Sequence, residues 1–158
     1  MADVVPGRTT AAHEGSVVVF LIGMRVNSFW RLRQWLPTAM AMGPMLRELS
    51  KDPSSGFLGY EMSLALRGPV LVQYWRSTDD LFAYARSAAG AHRPAWQAFN
   101  ERARSGSGAV GIWHETYAVP AGGHECVYAS MPATGLAKVS GQVPVARRGE
   151  TATERLAG

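Results

Sequence analysis

The sequence predicts an α+β fold in which one antiparallel sheet carries two helices on one of its faces. Two observations predict it. Four stretches rich in β-branched and aromatic residues read as strands, and they interleave with two helical patterns in the order β-α-β-β-α-β. The strands are also apolar on both sides, so both faces of the sheet ask for cover. This order is the ferredoxin-like arrangement. Its two helices cover one face, and a second copy of the chain is the simplest cover for the other, which predicts a homodimer.

Each element has its own signal. Residues 16–26, "SVVVFLIGMRV", alternate Val17, Val19 and Leu21 with Val18, Phe20 and Ile22, the pattern of a strand buried on both faces. Asn27 and Ser28 are suited to cap the helix that follows. That helix carries Phe29, Leu32, Leu36, Met40, Leu46 and Leu49 near helical spacing, and Pro37 and Pro44 should kink or divide it. Asp52-Pro53 ends it. Residues 56–66 and 70–77 form a hairpin about Arg67-Gly68-Pro69. Thr78-Asp79-Asp80 opens the second helix, which breaks at Gly90 and restarts near Pro94. Residues 110–119 are the fourth strand, and 125–130 a short fifth. Three regions result: a loose arm over 1–15, the folded domain over 16–138, and a poorly ordered tail over 139–158.

Composition narrows the function. The 158 residues suit one domain, and 47% hydrophobic with 18% charged is a globular balance. The longest apolar run, Val17 to Met24, is less than half the length of a membrane span, and no signal peptide is expected. One cysteine, Cys126, fits a reducing cytoplasmic setting and leaves no Cys-rich zinc site. The net charge of +4 is scattered, without a basic run. Neither nucleic acid nor membrane is therefore an expected partner; a hydrophobic small molecule is. No GxGxxG, P-loop, HExxH or GxSxG motif is present, so a Rossmann-type flavin or nicotinamide site has no support.

The segment "VQYWRSTDDLFAYARSAAGAHRPAWQAFN" resembles the strand-to-helix unit of the dimeric α/β-barrel monooxygenases, with a Trp ending the strand and a His late in the helix. Together with "VFLIGMRVNSFWRLRQWLP", "GIWHETYAVPAG" and "VYASMPATGLAK", it is similar to a bacterial and fungal branch of monooxygenase-like proteins, over residues 16–138. That branch often has Asn where this chain has Ser130 and Pro where it has Ala133. The resemblance implies a dimeric α/β barrel and an oxidoreductase tailoring a hydrophobic molecule, in secondary metabolism. Within that fold the cofactor is either none or haem, and the haem version includes aldoxime dehydration. A non-catalytic binding dimer shares the same packing.

The site candidates follow. His92 faces the sheet on the stripe of Leu81, Ala85 and Ala88, at a helix break that favours its neutral form. It reads as a catalytic base, as the proximal ligand if haem is bound, or as a buried histidine bonded to a carbonyl. Trp75 and Trp96 either wall a planar ligand or fill the core, and in a haem version Met62 joins them. Tyr74 and Gln73 fall on opposite faces of one strand; Tyr60 and Tyr74 complete the pocket candidates. Glu61, expected on one face with Phe57, Gly59 and Ala65, is either a buried carboxylate with a raised pKa or the partner of an arginine such as Arg76. His114 shares a face with Ile112 and Thr116 and points into the same cavity as His92 or into a dimer interface. Asn27 caps a helix or, as the haem-degrading relatives imply, serves the site. His13 and His124 read as surface.

Overall fold

The computed structural model describes residues 3–87, 94, 97–101 and 108–157. Its main sheet has four strands: β2 (Val17–Val26), β3 (Phe57–Ala65), β4 (Gly68–Trp75) and β5 (Val110–Val119). They lie in the order β3-β4-β2-β5, antiparallel throughout. The helices α1 (Leu32–Lys51) and α2 (Thr78–Arg86) follow β2 and β4. This is the ferredoxin-like fold. Val18, Phe20, Ile22 and Met24 pair across β2 with Gln73 and Leu71 of β4 and with Thr116, His114 and Ile112 of β5. Directly opposed residues share a face, so these form the helix-facing side. Val18, Leu49, Trp75 and Leu81 close a core there, with Trp75 wholly buried.

Helix α1 departs from expectation. It runs unbroken through Pro37 and Pro44, and it starts at Leu32, with Arg31 rather than Asn27 or Ser28 at its N-cap. The helix also turns a different stripe inward. Thr38, Leu46 and Leu49 are buried, whereas Leu32, Leu36 and Met40 are exposed. In α2 the cap is Ser77, whose hydroxyl accepts from the Asp80 amide at 3.1 Å. Asp79 and Asp80 occupy its first turn, where the helix dipole favours them.

The arm and the tail are both structured. β1 (Val5–Ala11) sits between β6 (Tyr128–Met131) and β7 (Gln142–Pro144) in a second sheet, and Thr9, Thr10 and Ala11 are buried. Short helices α3 (Leu136–Ser140) and α4 (Ala152–Ala157) flank it. The arm lacks a large apolar stripe, so nothing local announces a strand; its partners are more than a hundred residues away. The tail is held by charge. Arg155, 6% exposed, pairs with Glu125 and donates to the Gly149 and Glu150 carbonyls.

These elements also correct the bare second face. Ala11, Leu136 and Ala137 pack on Val17 and Tyr74 and cover one end of it. The remainder shows Trp113 at 40% and Tyr117 at 50% exposed.

Candidate functional site

A cavity of about 330 Å³ lies between the helix-facing side of the sheet and α1 and α2. The sheet contributes Phe20, Ile22, Met24, Leu71 and Ile112 to its wall, and α2 contributes Leu81, Phe82 and Ala85. α1 adds Ala39, Ala41, Met42 and Met45, small or pliant side chains that leave volume between helix and sheet. Thr38, His114 and Thr116 are the polar side chains on the wall. His114 is the one titratable group among the described lining residues. Its ring lies 5.6 Å from that of Phe20, inclined at 39°. The size falls within the range of small-molecule pockets, and so does the pattern of an apolar wall with few polar groups.

The expected residues divide among several places. His114 lines the cavity with Ile112 and Thr116. Tyr60 and Met62 border a neighbouring groove against α1, which shares Ala39, Met42, Pro69 and Leu71 with the cavity. Trp75 is core: its indole donates to Gln73 Oε1 at 3.0 Å and meets Phe57 edge-on at 5.2 Å. Asn27 neither caps α1 nor reaches the cavity. Its amide donates to the Gly108 carbonyl at 2.9 Å and its oxygen accepts from Arg25 at 3.1 Å, which fixes the entry to β5. His92 and Trp96 lie outside the described residues.

Glu61 and Tyr74 are on the opposite side of the sheet. The register slips between Phe57 and Gly59, so Phe57 joins Tyr60 on the helix side while Glu61 opposes Val72 on the other. The Phe57 and Tyr60 rings stack there at 6.3 Å. Glu61 accepts from the Gly135 amide at 3.2 Å and pairs with Lys138 at 3.4 Å, whereas Arg76 pairs with Asp80. It thus anchors α3. Tyr74 is buried beneath the same turn, and burial, with Cys126 and Glu61 adding negative charge, pushes its pKa up. Burial likewise raises the Cys126 thiol and the Tyr128 hydroxyl. This cluster stays protonated at neutral pH and supplies no nucleophile.

His13 and His124 are not independent surface groups. Their rings lie 5.5 Å apart, and His124 Nε2 meets the His13 carbonyl at 3.1 Å. Arg148 donates to that same carbonyl.

A family model for monooxygenase af470-like proteins matches residues 17–136, the segment that builds the cavity. The chain belongs to that family. Monooxygenase af470 of Aspergillus fumigatus is 29% identical over 81% of this chain and 52% of its own. The chain thus spans about half the length of that af470-like relative. In fold it is similar to an aldoxime dehydratase solved with butyraldoxime, with a TM-score of 0.64 and 18% identity over 89% of this chain and 42% of that one. SnoaB, a cofactor-independent oxygenase from Streptomyces nogalater, aligns over 65% of this chain at 11% identity with a TM-score of 0.46.

A haem needs an axial donor and cationic contacts for its propionates. Among the described residues, the cavity wall of this af470-like chain offers one imidazole, His114, and no lysine or arginine. That wall does not by itself fit a haem, and His92, the expected proximal ligand, lies outside the described residues. Among the described residues no cluster of His, Cys, Asp and Glu is suited to a metal ion.

What the sequence missed are the residues of α1 that make room. "TAMAMGPML" mixes small residues with methionine in place of a large apolar stripe. Read as under-filling rather than as weak amphipathicity, that composition marks the cavity.

Proposed function

We propose that this chain is a monooxygenase that oxidises an apolar small molecule in the cavity between the sheet and α1 and α2, without a cofactor. The observation that carries the reading is His114, the one imidazole among the described residues of an otherwise nearly apolar wall. A substrate with an activated C–H bond places that bond against His114, which takes the proton. The carbanion adds molecular oxygen to give a hydroperoxide. Loss of water from the hydroperoxide leaves a carbonyl. One CH₂ and one O₂ become one C=O and one H₂O, so the substrate supplies all four electrons. His114 stands at the exposed edge of the sheet, a bound substrate would shield the carbanion against the apolar wall, and Thr116 offers a hydroxyl to the oxygen that develops charge.

The enzyme acts as a cytoplasmic homodimer in this reading. Leu21, Val70, Trp113 and Tyr117 lie on the face that α3 and β1 leave uncovered, and a second sheet placed there would cover them. Sedimentation at micromolar protein is expected to give twice the 17.1 kDa chain mass. A monomer would remove the dimer from the reading.

The test of the activity is oxygen uptake with a panel of activated aromatic and terpenoid ketones, with the product identified by mass. Uptake that gives a carbonyl product and is lost in His114→Ala supports the reading. A purified protein whose absorption shows bound haem, and whose turnover depends on that haem, sinks the cofactor-free version.

A further inference from the structure

The chain carries no acidic residue between Glu14 and Glu48, and none between Glu61 and Asp79. The fold joins these two segments at one end of the sheet. Val26 donates its amide to the Arg67 carbonyl at 2.7 Å, and Arg67 Nη1 donates back to the Val26 carbonyl at 3.2 Å. The Arg67 guanidinium also lies 5.6 Å from the centre of the Phe29 ring. The turn after β2 and the tip of the β3–β4 hairpin therefore form one knuckle. Its apolar side chains point into water: Trp30 is 95% exposed, Leu66 93% and Leu64 82%. Phe29 and Leu32 are about half exposed beside them. Arg31, Arg33 and Arg67 belong to the same two segments.

We propose that this knuckle, against the expectation from the scattered charge that no membrane is a partner, docks the protein on an anionic phospholipid surface. Side chains this exposed stand on the tips of turns and form no groove. Their partner must therefore be deformable, as the boundary between headgroups and acyl chains is. Tryptophan settles at that boundary, and arginine lays its stem along apolar surface while its head reaches lipid phosphates. The two segments bring positive charge with no carboxylate of their own, which matches an anionic leaflet. A second copy fits worse, because a two-fold contact through the knuckle would set its arginines against themselves. The location is also useful. Met24 and Pro69 line the cavity and lie beside this end of the sheet, where a Cβ on the hairpin glycine Gly68 would clash with the Met24 carbonyl. An apolar molecule dissolved in the bilayer thus meets the protein next to its cavity. Docking requires no catalysis, so it stands or falls apart from the proposed reaction.

The test is co-sedimentation of the full chain with vesicles of phosphatidylcholine, with and without phosphatidylserine. Wild type is expected to bind the phosphatidylserine vesicles and to lose binding as salt is raised, since salt screens exposed charge. Trp30→Ser with Leu66→Ser is expected to weaken binding by at least about tenfold at unchanged melting temperature and circular dichroism. Arg33→Gln is expected to weaken it by about fivefold. Wild-type binding that ignores phosphatidylserine, or a double variant that binds as wild type does, overturns the proposal. So does a double variant whose sedimenting mass falls, because the knuckle is then an interface between copies.

Discussion

Phe20 and His114 lie diagonally across the β2–β5 pair, with ring centres 5.6 Å apart, on the wall of the cavity. His114 sits on the edge strand opposite Ile22, so Phe20 is the aromatic surface that orients its ring. Removing the imidazole as His114→Ala is expected to lower kcat by about 10²- to 10⁴-fold, the usual worth of a positioned base. KM should move much less, because the apolar wall that holds the substrate is intact. Phe20→Leu keeps the base but frees its ring, and should give a smaller loss. Full activity in His114→Ala would take the base out of the mechanism.

Gly23 and Trp113 oppose each other on the other face of the sheet. A Cβ at Gly23 would overlap the indole, so the ring occupies the space that any side chain at 23 would need. Gly23→Ala is expected to cost about 1–3 kcal/mol by overpacking. Trp113→Ala should remove most of that cost when the two are combined. Denaturant unfolding of the two single variants and the double variant measures the coupling, and additive costs would show that the ring is free to move aside.

Much of this fold is legible in the sequence because periodicity carries it. The strands β2, β4 and β5 are where alternation places them, and β2 in the centre follows from apolar residues on both faces. Two kinds of information are absent from periodicity. A bulge shifts the phase of a strand without changing its composition, so Phe57 and Glu61 share a face on paper and not in the fold. Long-range pairing is equally silent, which hides β1 and the Arg155–Glu125 tie of the tail. The candidate site was half visible for the same reasons. His114 follows from simple alternation along β5. Glu61 is displaced by the bulge, and Tyr74 faces the side that β1 and α3 cover.

Acid should loosen the union of the two termini before it unfolds the sheet. Burial lowers the pKa of His124 below 6.5, and the neighbouring His13 and Arg148 push the same way, against the bond to the His13 carbonyl. Its Nδ1 is buried with no hydrogen-bond partner, so a proton added there finds no acceptor. Below 6.5 the unfolded chain takes up more protons than the folded one, and stability falls as pH drops. The carboxylates with lowered values, Asp52, Asp80 and Glu154, start from 3.8, 3.8 and 4.5, so the interval from 6.5 down to about 5 belongs to the histidine. His124→Gln is expected to flatten melting temperature against pH in that interval. Hydrogen exchange of β1 and β7 in the wild type should quicken there as well. An unchanged slope in the variant would assign the acid sensitivity elsewhere.

Ser130, near the end of β6, is the one non-glycine residue with a positive φ among the described residues, at 51°. That region costs an ordinary L-residue about 1–2 kcal/mol, and asparagine tolerates it better through local hydrogen bonding. An asparagine at this position, which the resemblance implies for the branch, would therefore have a backbone reason, independent of any role in a site. Ser130→Asn is expected to raise stability by about 0.5 kcal/mol, or about 1–2 °C for a domain of this size. Ser130→Val should lower it, since a β-branched side chain fits left-handed backbone worst. Oxygen uptake should stay unchanged in both, because β6 belongs to the second sheet and lines neither the cavity nor its neighbouring groove. A melting temperature that falls in Ser130→Asn, or uptake that changes with it, would place the residue's importance in its side chain rather than in its backbone.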